Sequence, residues 1–162
     1  MNSLSLVGVA PAMLRAGLGK SLPLISSMWL ADDGERAEEV AERVEVVDLL
    51  RNGQFGMWEI RWRRPGDKGP SIKLTRTADL ADIGMEKREL MQVAEKERAV
   101  KALKAAVEIV SFDIQNSDGV ESMAWPVALS AAAWLATTGR GILHAKGEGW
   151  FQPAGNDLRR LD

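Results

Sequence analysis

The sequence predicts an α+β fold, a mixed β-sheet with helices packed mostly on one face as a two-layer sandwich. Three observations lead there. Residues 107–114, 126–136 and 141–145 read as strand, buried helix and strand. Two alternating segments, 55–64 and 71–77, flank a run of turn-forming residues and read as an antiparallel hairpin. Two further stretches, 32–51 and 86–106, carry apolar residues at helical spacing.

Within the first unit, Ile109, Val110, Phe112 and Ile114 are the β-branched and aromatic residues that strands favour. Asn116, Ser117, Asp118 and Gly119 then end the strand. Pro126 suits a first helical turn, where its missing N–H costs nothing. From Val127 to Ala136 the only polar residue is Ser130, so the helix is expected to be enclosed on most sides. Its alanines give it a thin waist, and Gly139 is the expected C′ residue. In 141–145, Ile142 and His144 share one face while Leu143 and Ala145 share the other. If both strands lie in one sheet, the connection is a right-handed parallel crossover. This stretch of ten residues falls well short of the roughly 20 that span a bilayer.

Earlier in the chain, 4–9 alternates and reads as a first strand. Pro11 opens a short helix with Met13, Leu14 and Leu18, weakened by Gly17 and Gly19. Residues 22–30 are ambiguous, with a strand one reading of 25–30. Asp32 and Glu35 have capping-box spacing ahead of Ala37, Val40, Ala41 and Val44, which predicts one amphipathic helix as far as Gly53. This 32–51 segment holds eight acids against three bases, a net of −5. In the hairpin, Trp58, Ile60 and Trp62 share one face and Met57, Glu59, Arg61 and Arg63 the other. Ile72 and Leu74 point inward, Lys73 and Thr75 outward. Residues 61–76 carry six bases and one acid, a net of +5, so this hairpin is the basic pole. The 86–106 stretch is the longest expected helix, with Leu90, Val93, Ala94, Val100 and Leu103 as its stripe. Residues 152–162 read as a polar, loosely held tail.

Composition narrows function mainly by exclusion. The 162 residues are 46% hydrophobic and 27% charged, as in one globular domain. There is no cysteine, hence no disulfide framework, thiolate nucleophile or thiolate metal site. A single histidine precludes a histidine-rich metal site. The start of the chain lacks the basic and apolar regions of a secretory signal, so a cytoplasmic protein is expected. A net charge of −2 offers nucleic acid no general attraction.

One catalytic constellation deserves testing: His144 as general base with Asp113 and Glu148. A lone strand histidine beside glycines is more often structural, and loop acids such as Asp118, near Glu121, more often cap and turn. Gly139, Arg140 and Gly141, like Gly147, Glu148 and Gly149, lack the phosphate-loop lysine and the dinucleotide fingerprint. A nucleic-acid binder through the basic hairpin 61–76 is a further alternative, although alternation argues against it: Trp58 and Trp62 fall opposite Arg61 and Arg63, whereas base stacking needs both on one platform.

The run from Ile109, Val110, Ser111, Phe112 and Asp113 through Trp125, Pro126, Val127, Ala128 and Leu129 to Gly141, Ile142, Leu143, Gly149, Trp150 and Phe151 resembles one class of small bacterial α+β proteins. These are the immunity proteins encoded beside secreted antibacterial toxins. The resemblance covers about 45 residues and lies in the strand–helix–strand layout and the glycine–tryptophan ending. It implies a non-catalytic cytoplasmic inhibitor that occludes a toxin's active site. The expected partner is therefore a cognate toxin, in a heterodimer, with a homodimer left open; neither cofactor, metal, nucleic acid nor membrane is expected. The charged faces offered to that partner are Glu35, Glu38, Glu39, Glu42 and Glu45 on the acidic segment, and Arg61, Arg63, Arg64 and Lys73 on the hairpin.

Overall fold

A computed structural model describes residues 10–25, 36–52, 55–62, 71–77, 80–94, 97–115, 123–155 and 157–161. The expected strand at 4–9, most of the ambiguous stretch 22–30, the Asp32–Glu35 capping box, the end of the expected 55–64 strand at 63–64 and the 65–70 turn lie outside these residues. The elements run α1 (Pro11–Ile25), α2 (Ala37–Arg43), β1 (Glu45–Asn52), β2 (Phe55–Arg61), β3 (Ser71–Thr77), α3 (Leu80–Val93), α4 (Glu97–Ala105), β4 (Ile109–Gln115), α5 (Ala124–Gly139), β5 (Leu143–Ala145), β6 (Gly149–Ala154) and β7 (Asp157–Arg160). The class is α+β. Every strand pair is antiparallel, in a four-stranded sheet ordered β1-β2-β3-β4 and a three-stranded sheet ordered β5-β6-β7.

The expected parallel crossover is therefore absent. β4 and β5 belong to different sheets, and β4 is an outer strand rather than a central one. Its Ser111 and Asp113 are exposed. Its apolar run earns only half-burial, because Val110, Phe112 and Ile114 pack inward while the other face meets water.

Antiparallel register explains the main core. Trp58, Leu74 and Phe112 stand abreast on one face, with Ile60, Ile72 and Ile114 on the next rung. Trp58, Ile60, Trp62, Ile72 and Leu74 are all buried, as the alternation predicts. Helices α1, α2 and α5 cover this face, supplying Leu14, Leu18, Val40, Val44, Val127 and Ala131. Each Leu or Ile buried there contributes on the order of 1.5–3 kcal/mol.

Two expected helices are shorter than their spacing suggested. After Val40, Ala41 and Val44 are buried at helical spacing, Val44 turns extended (φ −62°, ψ 133°) and the chain enters β1. From Val44 onward the same residues satisfy a period of two, and pairing Val46 with Ile60 secures the strand. Glu45 is consequently a strand residue. The 86–106 stretch is divided into α3 and α4 around the buried Ala94. Trp150 Nε1 donates to the Val93 carbonyl at 3.4 Å, offering a partner to a helix-terminal acceptor there. The break lets Ala94, Ala99 and Leu103 meet Trp150 and Leu161 in a second core cluster, leaving Val93 exposed. The supposed tail is structured too, since 152–154 and 157–160 are paired strand residues and Leu161 is buried.

Helix α1 forms as predicted, and its two glycines differ in kind. A Cβ at Gly17 would stand 2.5 Å from Trp134 Nε1 of α5, whereas one at Gly19 would meet nothing within 4 Å. Gly17 is thus the point where the two helices approach. Gly17→Ala should destabilise the protein by about 1–3 kcal/mol through overpacking, despite alanine's better helix propensity. Gly19→Ala should stabilise it by about 0.5–1 kcal/mol. Urea denaturation of both variants checks the opposite signs, and equal shifts would refute the close-approach account.

Candidate functional site

The acidic segment becomes a surface through α2 and the start of β1. Glu38, Glu39 and Glu42 on the helix and Glu45 on the strand are all exposed. Glu38 and Glu39 lie in the first helical turn, where the macrodipole favours negative charge. Arg43 folds back on its own helix, its Nε donating to the Glu39 carbonyl at 3.2 Å. Glu35 lies outside the described residues.

The basic hairpin is less basic in space than in sequence. On its solvent face, Arg61 Nε donates to Glu59 Oε2 at 2.8 Å. That bond holds the Glu59 carboxyl below its usual range and raises the Arg61 guanidinium in turn. Lys73 sits between Glu59 and Asp113 on the adjoining strands. Arg76, counted above as part of the basic pole, is turned inward: its guanidinium lies 5.6 Å from the Trp58 ring centre and its Nε donates to Glu108 at 2.5 Å. Arg63 and Arg64 are outside the described residues. Nor are the acidic and basic segments opposite poles, for Glu45 faces Arg61 directly across the β1–β2 ladder. Buried Trp58 and Trp62 provide no stacking platform beside Arg61.

The constellation of Asp113, His144 and Glu148 is not assembled. Asp113 is on the exposed face of the four-stranded sheet and accepts from Gln115 Nε2 at 3.2 Å. Glu148 is exposed in the turn between β5 and β6, its carbonyl accepting from Arg160. His144 instead stacks on Trp150, with ring centres 4.4 Å apart and planes at 26°. No group of three or more potential metal-ligating side chains occurs among the described residues, and none of their helices is long and apolar enough to cross a membrane.

A cleft of about 900 Å³ is the feature that spacing arguments missed. Its walls come from β4, β5 and α4, the last through Arg98, Lys101 and Leu103, and its floor is the face of α5 bearing Ala128, Ala132 and Ala136. Val107 and Trp125, both substantially exposed, line it as well. So do the cationic Arg98, Lys101, Arg140 and Lys146. Arg140 takes the left-handed conformation (φ 54°) one residue past the expected C′ glycine, and Gly141 N–H closes the turn onto the Ala136 carbonyl at 2.8 Å. The one clue in the sequence is the i, i+4, i+8 run of alanines, which fits close packing as well as open space.

The chain matches no known protein family, curated protein or solved structure.

Burial of His144 makes its charged form less favourable and lowers its pKa from the ordinary 6.5. The unfolded chain then takes up a proton that the folded chain refuses. Stability should be level above pH 6.5 and fall as pH drops from 6.5 through the lowered folded value. The single imidazole resonance of the folded protein should titrate below 6.5, and His144→Phe should flatten the stability profile over that window. An imidazole titrating at or above 6.5 contradicts this account.

Proposed function

We propose that this chain is a non-catalytic protein-binding module of the immunity type, binding and inhibiting a cognate antibacterial toxin in the cytoplasm. The observation that carries the reading is the exposed acidic surface of Glu38, Glu39, Glu42 and Glu45 across the α2–β1 junction. Four carboxylates on one short stretch create a field that steers a basic partner into contact. The matching partner surface is the basic substrate cleft of an enzyme that acts on polyanions, as in a nuclease. Filling such a cleft with carboxylates competes with substrate for the same cations. The resemblance of the 109–151 region to immunity proteins supports the same reading.

The product of the neighbouring reading frame in the native host is the first bait. The E38K/E39K/E42K variant should associate with that product at least about tenfold more slowly at low salt, with the difference shrinking as ionic strength rises. The milder E38Q/E39Q/E42Q variant guards against loss of α2 itself. Stopped-flow association at two salt concentrations measures both. Unchanged rates reject this face.

A further inference from the structure

Successive side chains of a strand point to opposite faces, so a cleft lined by a consecutive run of strand residues lies along an edge. Ile109, Val110, Ser111 and Phe112 form such a run on one wall, and Leu143, His144 and Ala145 on another. Both strands are outermost in their sheets, and no described strand pairs with the cleft side of either. An open edge presents N–H and C=O groups at strand spacing, the template for another extended chain. Small residues on α5 keep the floor low enough for one to lie there. The rim selects by charge. Arg98, Lys101, Arg140 and Lys146 line the cleft, and its single lining acid, Glu108, is already bonded to Arg76.

We propose that this cleft receives an extended acidic segment of the partner protein, added as a strand to the free edge of β4. The proposal rests on the protein-binding reading and supplies its mode of recognition: main-chain bonds for affinity, alternate side chains for fit. A partner engaging both surfaces presents a basic body and an acidic arm. A second copy of this chain is a poorer occupant, because a symmetric contact would set the same four cations against themselves.

The probe is a blocked octapeptide of alternating glutamate and valine, with the lysine–valine octapeptide as control, added to the full chain. Amide hydrogen exchange at 109–112 should slow by about tenfold or more at saturating acidic peptide. K101E/K146E alters two exposed side chains and should weaken binding by about tenfold while leaving the thermal midpoint in place. Unchanged exchange at 109–112, or equal binding of the basic peptide, overturns the proposal. So does concentration-dependent protection without peptide, which identifies a second copy, or uptake of laurate with no protection of the β4 amides, which identifies a small amphiphile. The two readings fail separately. Peptide binding as expected with no capture of the neighbouring product sinks the inhibitor alone. Capture of that product undiminished by K101E/K146E, with no peptide binding, sinks the cleft alone.

Discussion

The structure depends on what α5 must bury. A helix with Ser130 as the only polar residue between Val127 and Ala136 cannot leave a broad face in water, so elements gather on several sides of it. Helix α1 lies along one side, close enough that Gly17 touches the Trp134 ring. The four-stranded sheet lies on another, its inward rungs meeting Val127 and Ala131 in the main core. The three-stranded sheet follows directly from the end of α5 and packs beside it. One helix thus joins two sheets that share no strand. The cleft is the seam left between them where the helix surface is alanine.

Charge is organised by the sheet rather than by chain segments. Net values of −5 and +5 along the sequence suggest a molecule with two ends, yet β1 and β2 pair, which brings acids and bases onto neighbouring strands. Glu59 and Arg61 bind each other, Lys73 lies between carboxylates, and Arg76 is withdrawn beneath the sheet to Glu108. Pairing within β2, across the strands at Lys73 and inward at Arg76 therefore neutralises much of the described hairpin. Glu38, Glu39 and Glu42 of α2 sit outside the ladder and are exposed. This contrast between the two charged segments follows from the pairing of β1 with β2.

Local pattern made some elements legible and left others hidden. The β3 strand and the inward row of Trp58, Ile60 and Trp62 follow from period-two alternation, which needs no knowledge of neighbours. The α5 helix follows from Pro126 and a long apolar run. The end of α2 was not legible, because Val40, Val44 and the valines beyond fit both periods until β2 decides between them. Neither was the break between α3 and α4, where the Val93 carbonyl accepts from Trp150, more than fifty residues away. The cleft was the least legible. A sheet edge becomes visible only once strand order is known, and the β-branched and aromatic residues of β4 suit an inner strand as well as an outer one.

Arg140 ties these levels together. A left-handed non-glycine residue costs about 1–2 kcal/mol, and this one stands between two glycines that could have taken the conformation more cheaply. The hydrogen bonds from Arg140 to Thr137 and from Gly141 to Ala136 close the end of α5 and turn the chain at once into β5. Shifting the left-handed position by one residue would rotate β5 relative to the helix and disturb the burial of Leu143 and Ala145. The strain is therefore held by the packing on either side of it. It also sets a guanidinium on the cleft rim, at the point where helix, sheet edge and cation meet.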